Sequence, residues 1–91
     1  MNSASIRDYL ELLEDAIANR HVLLLTYRAP ASGKRSEREI EALGMYFTQD
    51  KWKLVAFCRL QSAKREFRFD GILSLNKTAK TFPPHQFTFD A

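Results

Sequence analysis

Residues 37–47 read Glu-Arg-Glu-Ile-Glu-Ala-Leu-Gly-Met-Tyr-Phe, with charged and apolar positions alternating before Gly44. Glu37, Glu39 and Glu41 fall on one face and Arg38, Ile40 and Ala42 on the other. A period of two belongs to a β-strand with one side turned to a core. The glutamates read as a solvated face that discourages edge pairing rather than as an acid/base pair. Gly44 interrupts the run and marks a bulge or bend, which a small barrel needs at its corners.

Working outward, His21–Arg28 (HVLLLTYR) has the Val, Leu, Thr and Tyr content of a strand buried on both faces. Ala29–Arg35, with Pro30, Ser32 and Gly33, is a turn between the two. After the turn at Thr48–Lys51 come Trp52–Arg59 (WKLVAFCR), a turn at Gln61–Lys64, Arg65–Asp70 (REFRFD) and Ile72–Leu75. Ahead of all these, Ile6, Tyr9, Leu10, Leu13, Ala16 and Ile17 recur at spacings of three and four, which predicts an amphipathic helix over residues 5–20. Ser5 followed by Asp8 forms a capping-box variant, and Asn19 is where the helix should stop. The expected fold is mainly β with one leading helix: a five-stranded small barrel over residues 21–76, capped by that helix, with a tail over 77–91. Pro83-Pro84 breaks the tail before a last aromatic stretch.

The chain has 91 residues, enough for one domain, and its 45% hydrophobic and 27% charged content is that of an ordinary globular protein. Its net charge is +3. In residues 1–20, Arg7 and Arg20 face Asp8, Glu11, Glu14 and Asp15, a charge of −2, so the remaining residues carry +5. An anionic partner should therefore meet the body of the domain. Cys58 is the single cysteine, which excludes an intrachain disulfide and a cysteine-based zinc site. No apolar run approaches the ~20 residues that cross a bilayer, and no secretory leader is visible, so no membrane association and a cytoplasmic location are expected.

No phosphate-binding loop, HExxH motif or nucleophile–base pair appears, and the expectation is a non-catalytic protein without cofactor or metal. His21 and His85 read as surface or capping residues, and Cys58 as a small buried hydrophobe. Arg38 stands out because its phase places it with Ile40 and Ala42. Either its stem reaches the barrel rim or pairs with Asp70 or Glu66, or it lines a pocket that accepts an anion. In Lys64–Asp70 the phenylalanines share one face and Arg68 points to the other. Basic residues interleaved with aromatics on strands are what small barrels use to bind single strands or nucleotides.

Four blocks together resemble the WYL domain family: Tyr27; Arg38–Gly44; Trp52–Cys58; and Arg65–Ile72. The Trp-Tyr-Leu of the name aligns with Trp52-Lys53-Leu54, and the likeness runs from the leading helix to about Leu75. The resemblance implies an Sm-like barrel that senses a ligand within bacterial transcription regulators, beside a DNA-binding helix-turn-helix domain in the same chain or a separate protein. It implies Tyr27, Arg38, Arg65 and Arg68 as residues that bind a nucleic acid or nucleotide-like ligand, with Trp52 as a packing anchor; Lys53, where the family has Tyr, adds a cation that is a candidate additional contact. Three positions depart from the family: Lys53 replaces its Tyr, Ala42 its frequent Pro, and Gly71 its usual Arg. The alternative reading is a protein-interaction or oligomerisation module without a small ligand, such as a homodimer. It would use strand edges and the tail residues Phe82, Phe87 and Phe89.

Overall fold

The computed structural model describes residues 6–84. Ser5, His85, Phe87 and Phe89 lie outside the described residues. Helix α1 (Ile6–Asn19) is followed by β1 (His21–Arg28), β2 (Arg35–Thr48), β3 (Lys51–Cys58), β4 (Ala63–Arg68), a 3₁₀ turn at Phe69–Gly71, and β5 (Ile72–Thr81). All strands pair antiparallel in the order β4-β3-β2-β1-β5. Arg20, with φ 54°, ends α1 in the left-handed conformation. Its carbonyl accepts the Phe82 N–H at 3.0 Å while its Nε donates to the Phe82 carbonyl at 3.1 Å, so the last strand is tied to the end of the helix. Phe82, expected to dock on a neighbour, is instead buried in its own chain.

Residues 77–81, expected in the tail, belong to β5. Their polar alternation hid the strand, because this is a sheet edge with much of its side-chain surface in water. The bulge expected at Gly44 is present: between Ala42 and Gly44 the β2–β3 register slips by one residue. That slip bends the sheet around a core of Leu23, Leu25, Ile40, Leu54 and Phe67, over which α1 lays Leu13 and Ala16. Cys58 is fully buried, as expected.

The closed barrel expected from sequence is not formed. β4 and β5 stand at opposite ends of the pairing order, yet only Phe69–Gly71 joins them. Such a link spans only about 10 Å even when extended, so the sheet must curl until its edges nearly meet. They do not pair, because the groups that would start the ladder are engaged elsewhere. The Arg68 N–H donates to the Tyr27 hydroxyl at 3.0 Å, and the Ile72 N–H turns back to the Phe69 carbonyl. Gly71 fills the seam so closely that a Cβ there would lie 2.6 Å from the Arg28 carbonyl oxygen.

The glutamate face differs from expectation at two of its three positions. β2 is an interior strand, and Glu39 and Glu41 are covered by Arg59 from the turn after β3 and Lys80 from β5, while Glu37 is exposed. Arg59 Nε donates to Glu41 Oε2 at 2.8 Å, and Lys80 Nζ lies 2.8 Å from Glu39 Oε2. Glu41 is only 8% exposed. The hydrogen bond from Lys80, with the charges of Lys80 and Arg59 behind it, lowers the Glu39 pKa against a smaller opposing effect of desolvation. A carboxylate whose folded pKa is depressed contributes stability at neutral pH, and that contribution is lost as pH falls through the folded value. Glu39→Gln should therefore make stability fall less steeply below about pH 5, measured by urea unfolding at a series of pH values. An acid limb identical to that of the parent protein would remove Glu39 from this role.

Candidate anion-binding cleft

Alternation along β2 turns Ser36 and Arg38 to the same side, and the structure uses both. Arg38 Nε and Nη2 donate to Ser36 Oγ at 3.3 and 3.1 Å. Its Nη1 donates to Gln61 Oε1 at 3.2 Å and lies 3.6 Å from Cys58 Sγ. The guanidinium sits over the Phe67 ring, 5.5 Å from its centroid, a cation–π contact. Among the described residues, no carboxylate lies within ion-pair distance of Arg38.

The two acids expected as partners are engaged elsewhere. Asp70 holds Arg68, with Nε to Oδ1 at 3.0 Å, and has Lys51 Nζ at 4.0 Å. Glu66 accepts the Tyr46 hydroxyl at 2.7 Å, which raises the Tyr46 pKa because its proton bridges to a carboxylate.

Arg65 Nε donates to the same Gln61 Oε1 that serves Arg38. Two guanidinium groups thus converge on one neutral amide oxygen. Like charges brought together without a counter-ion leave donor capacity and positive potential unspent, which is the electrostatic condition for holding an anion. Around them is a cleft of about 300 Å³ that includes Tyr27, Lys34, Ser36, Arg38, Arg65 and Phe67 in its walls. Among the described residues, Glu66 is the single acid lining it. Arginine forks match the paired oxygens of phosphate and carboxylate, and Arg38 has one face on Phe67 to hold its plane.

Of the residues singled out from sequence, Tyr27, Arg38 and Arg65 come together here. Arg68 and Lys53 do not line the cleft. They are directly opposite each other on the β3–β4 ladder, and Arg68 is closed on Asp70. Sequence reasoning missed Lys34, Ser36 and Gln61. Ser36 was legible, because it shares the phase of Arg38 on β2. Lys34 and Gln61 sit in turns, where no periodicity indicates which way a side chain points.

A separate cavity of about 410 Å³ opens between α1, the β2–β3 hairpin and the 3₁₀ turn. Trp52, expected as a packing anchor, lies half-buried in its wall, 5.4 Å from Phe47 and 5.9 Å from Phe69 between ring centroids. Among the described residues, no cluster of His, Cys, Asp or Glu is arranged to hold a metal, and no helix is long and apolar enough to cross a membrane.

The family model for the WYL domain matches residues 8–76. No curated protein matches the sequence. The fold is similar to a solved structure, proteasome accessory factor B/C (PafBC) of Arthrobacter aurescens, with a TM-score of 0.76 and 23% identity. The match covers 89% of this chain and 13% of that one. At this identity the likeness is one of fold, and the present chain spans a small fraction of its neighbour's length.

Proposed function

The chain belongs to the WYL domain family, and from that premise we propose that it is the non-catalytic sensing domain of a bacterial transcription regulator, where its basic cleft binds an anionic ligand. The ligand class is a short single-stranded nucleic acid or a nucleotide. A DNA-binding helix-turn-helix domain, in the same longer chain or in a partner, would receive the signal. The observation that carries this reading is the Arg38 guanidinium. It is held by Ser36, Gln61 and Phe67, converges with Arg65, and has no carboxylate partner among the described residues. A protein that only needed a stable arginine here would be expected to supply an acid.

The test is binding of short fluorescent single-stranded DNA and RNA, and of nucleotides, across salt concentrations. Affinity should fall with salt, by roughly 0.7 in log–log slope for each phosphate contact on a single strand. Arg38→Ala should weaken binding about tenfold to a hundredfold. A thermal melt checks that the variant stays folded, which the half-exposed position of Arg38 favours. Binding of every nucleic acid and nucleotide unchanged by Arg38→Ala would refute the assignment.

A second reading, an interaction or oligomerisation module, is favoured by the exposure of Leu60 in the turn after β3 and of Leu73 on the edge strand β5. A homodimer that persists at high salt, from a protein that binds no oligonucleotide, would favour it over the first.

A further inference from the structure

The second cavity shares no lining residue with the basic cleft. Its walls are aromatic and come from separate parts of the chain: Tyr9 from α1, Phe47 and Trp52 from a directly opposed pair on the β2–β3 ladder, and Phe69 from the 3₁₀ turn. Core packing accounts for Phe69, which is buried edge-on against Tyr9. It does not account for Phe47, whose side of the cavity is open enough to leave the residue 55% exposed. Isolated exposed aromatics are ordinary, but four rings around one open space of ligand size are not.

The charges at this cavity indicate what it takes. Asp70 is occupied by Arg68 and has Lys51 close by. Asp50, placed by the left-handed hairpin turn at Gln49–Asp50, also lines the cavity, and among the described residues no cation lies within ion-pair distance of it. Lys51 also lines the cavity and, with Arg68, offsets Asp70, so the charge left without an ion pair at this cavity among the described residues is the Asp50 carboxylate, which would repel an anion. A neutral apolar molecule would use the walls and gain nothing from Asp50. A cation with an apolar surface gains from both, because the faces of aromatic rings carry negative potential.

We propose that this cavity binds a small organic cation of the alkylated-ammonium class, with Tyr9, Phe47, Trp52 and Phe69 as the aromatic walls and Asp50 as the counter-charge. The site is independent of the anion-binding cleft and stands or falls separately from it.

Trp52 is the only tryptophan of the chain, so its fluorescence reports the site directly. The protein is titrated at constant ionic strength with choline, and in parallel with its uncharged carbon isostere 3,3-dimethylbutan-1-ol. A saturable change with choline is expected, with the alcohol binding at least about fivefold more weakly, within the range of cation–π contributions. Asp50→Asn should weaken choline binding and leave the response to the alcohol unchanged. Phe47→Ala, at an exposed position, should abolish choline binding without unfolding the domain. Equal binding of choline and the alcohol would overturn the proposal and leave a plain apolar pocket. A fluorescence trace that never saturates with choline would overturn it too, as would choline affinity untouched by Asp50→Asn.

Discussion

Gly71→Ala is expected to destabilise the domain by about 2–3 kcal/mol, and Gly71→Arg by more. A Cβ at this position would stand 2.6 Å from the Arg28 carbonyl oxygen and 2.7 and 2.9 Å from Cε1 and Cζ of the Tyr27 ring, closer than real Cβ contacts come. Neither neighbour yields cheaply. Arg28 is the last residue of β1 and is paired with Arg35, so moving its carbonyl strains the β1–β2 ladder. The Tyr27 ring is packed edge-on against Phe67 at 5.0 Å and fixed by its hydroxyl. Urea unfolding should show a lower midpoint with an unchanged slope. A midpoint equal to that of the parent protein would mean that the seam relaxes freely. The sequence resemblance sets Gly71 where a WYL domain would be expected to carry arginine, and with these contacts an arginine at this position should cost stability before it could add a ligand contact.

Tyr27→Ala should have the largest effect of any single cleft substitution, about 3–5 kcal/mol of stability. The residue is 9% exposed and belongs to the core cluster, and its hydroxyl accepts the Arg68 N–H. Truncation therefore removes a ring from the core and leaves a backbone donor at the sheet seam without its partner. Tyr27→Phe keeps the ring and isolates the second loss, expected at about 1 kcal/mol. Urea titrations of the two variants separate the contributions. A Phe variant as stable as the parent would show that water replaces the hydroxyl at Arg68. The size of the Ala effect also decides how the cleft should be probed. A loss of binding in Tyr27→Ala would be confounded by unfolding, whereas Arg38 can be changed without opening the core.

The sequence made the elements legible and their closure illegible. The run of Val22 to Tyr27 identified β1 because a central strand buried on both faces has little choice of residue. The Gly44 bulge was visible as a break in the alternation. β5 beyond Leu75 was not, since an edge strand tolerates Asn76, Lys77 and Lys80 as a loop would. Whether the sheet closes depends on a hydrogen bond from Arg68 to Tyr27, residues 41 apart in sequence, which no local pattern reveals. The site divides in the same way. The phase of Arg38 reveals an inward cation, and among the described residues no acid pairs with it. Alternation turns Arg68 away from the phenylalanines, while the family resemblance alone groups it with Arg38 and Arg65. Its closure on Asp70 separates it from them.

The pairing order carries a consequence for how the chain acquires its structure. β1 is the first strand made and β5 the last, yet they are neighbours, with Leu25 opposite Leu75. While the polypeptide is being synthesised, a meander of β1 to β4 can form as each hairpin emerges, but β1 then presents a bare edge. Only when Thr81 has left the ribosome can that edge be fully covered, and only with Phe82 out can the end of the helix be tied down through Arg20. Contacts of such long sequence separation slow folding, because the loop must close before the contact rewards it. A chain released early would carry an unprotected strand edge of Val, Leu and Tyr, the kind of surface that recruits other chains. The domain is therefore completed from its last strand backwards, and the step most exposed to error is the docking of β5.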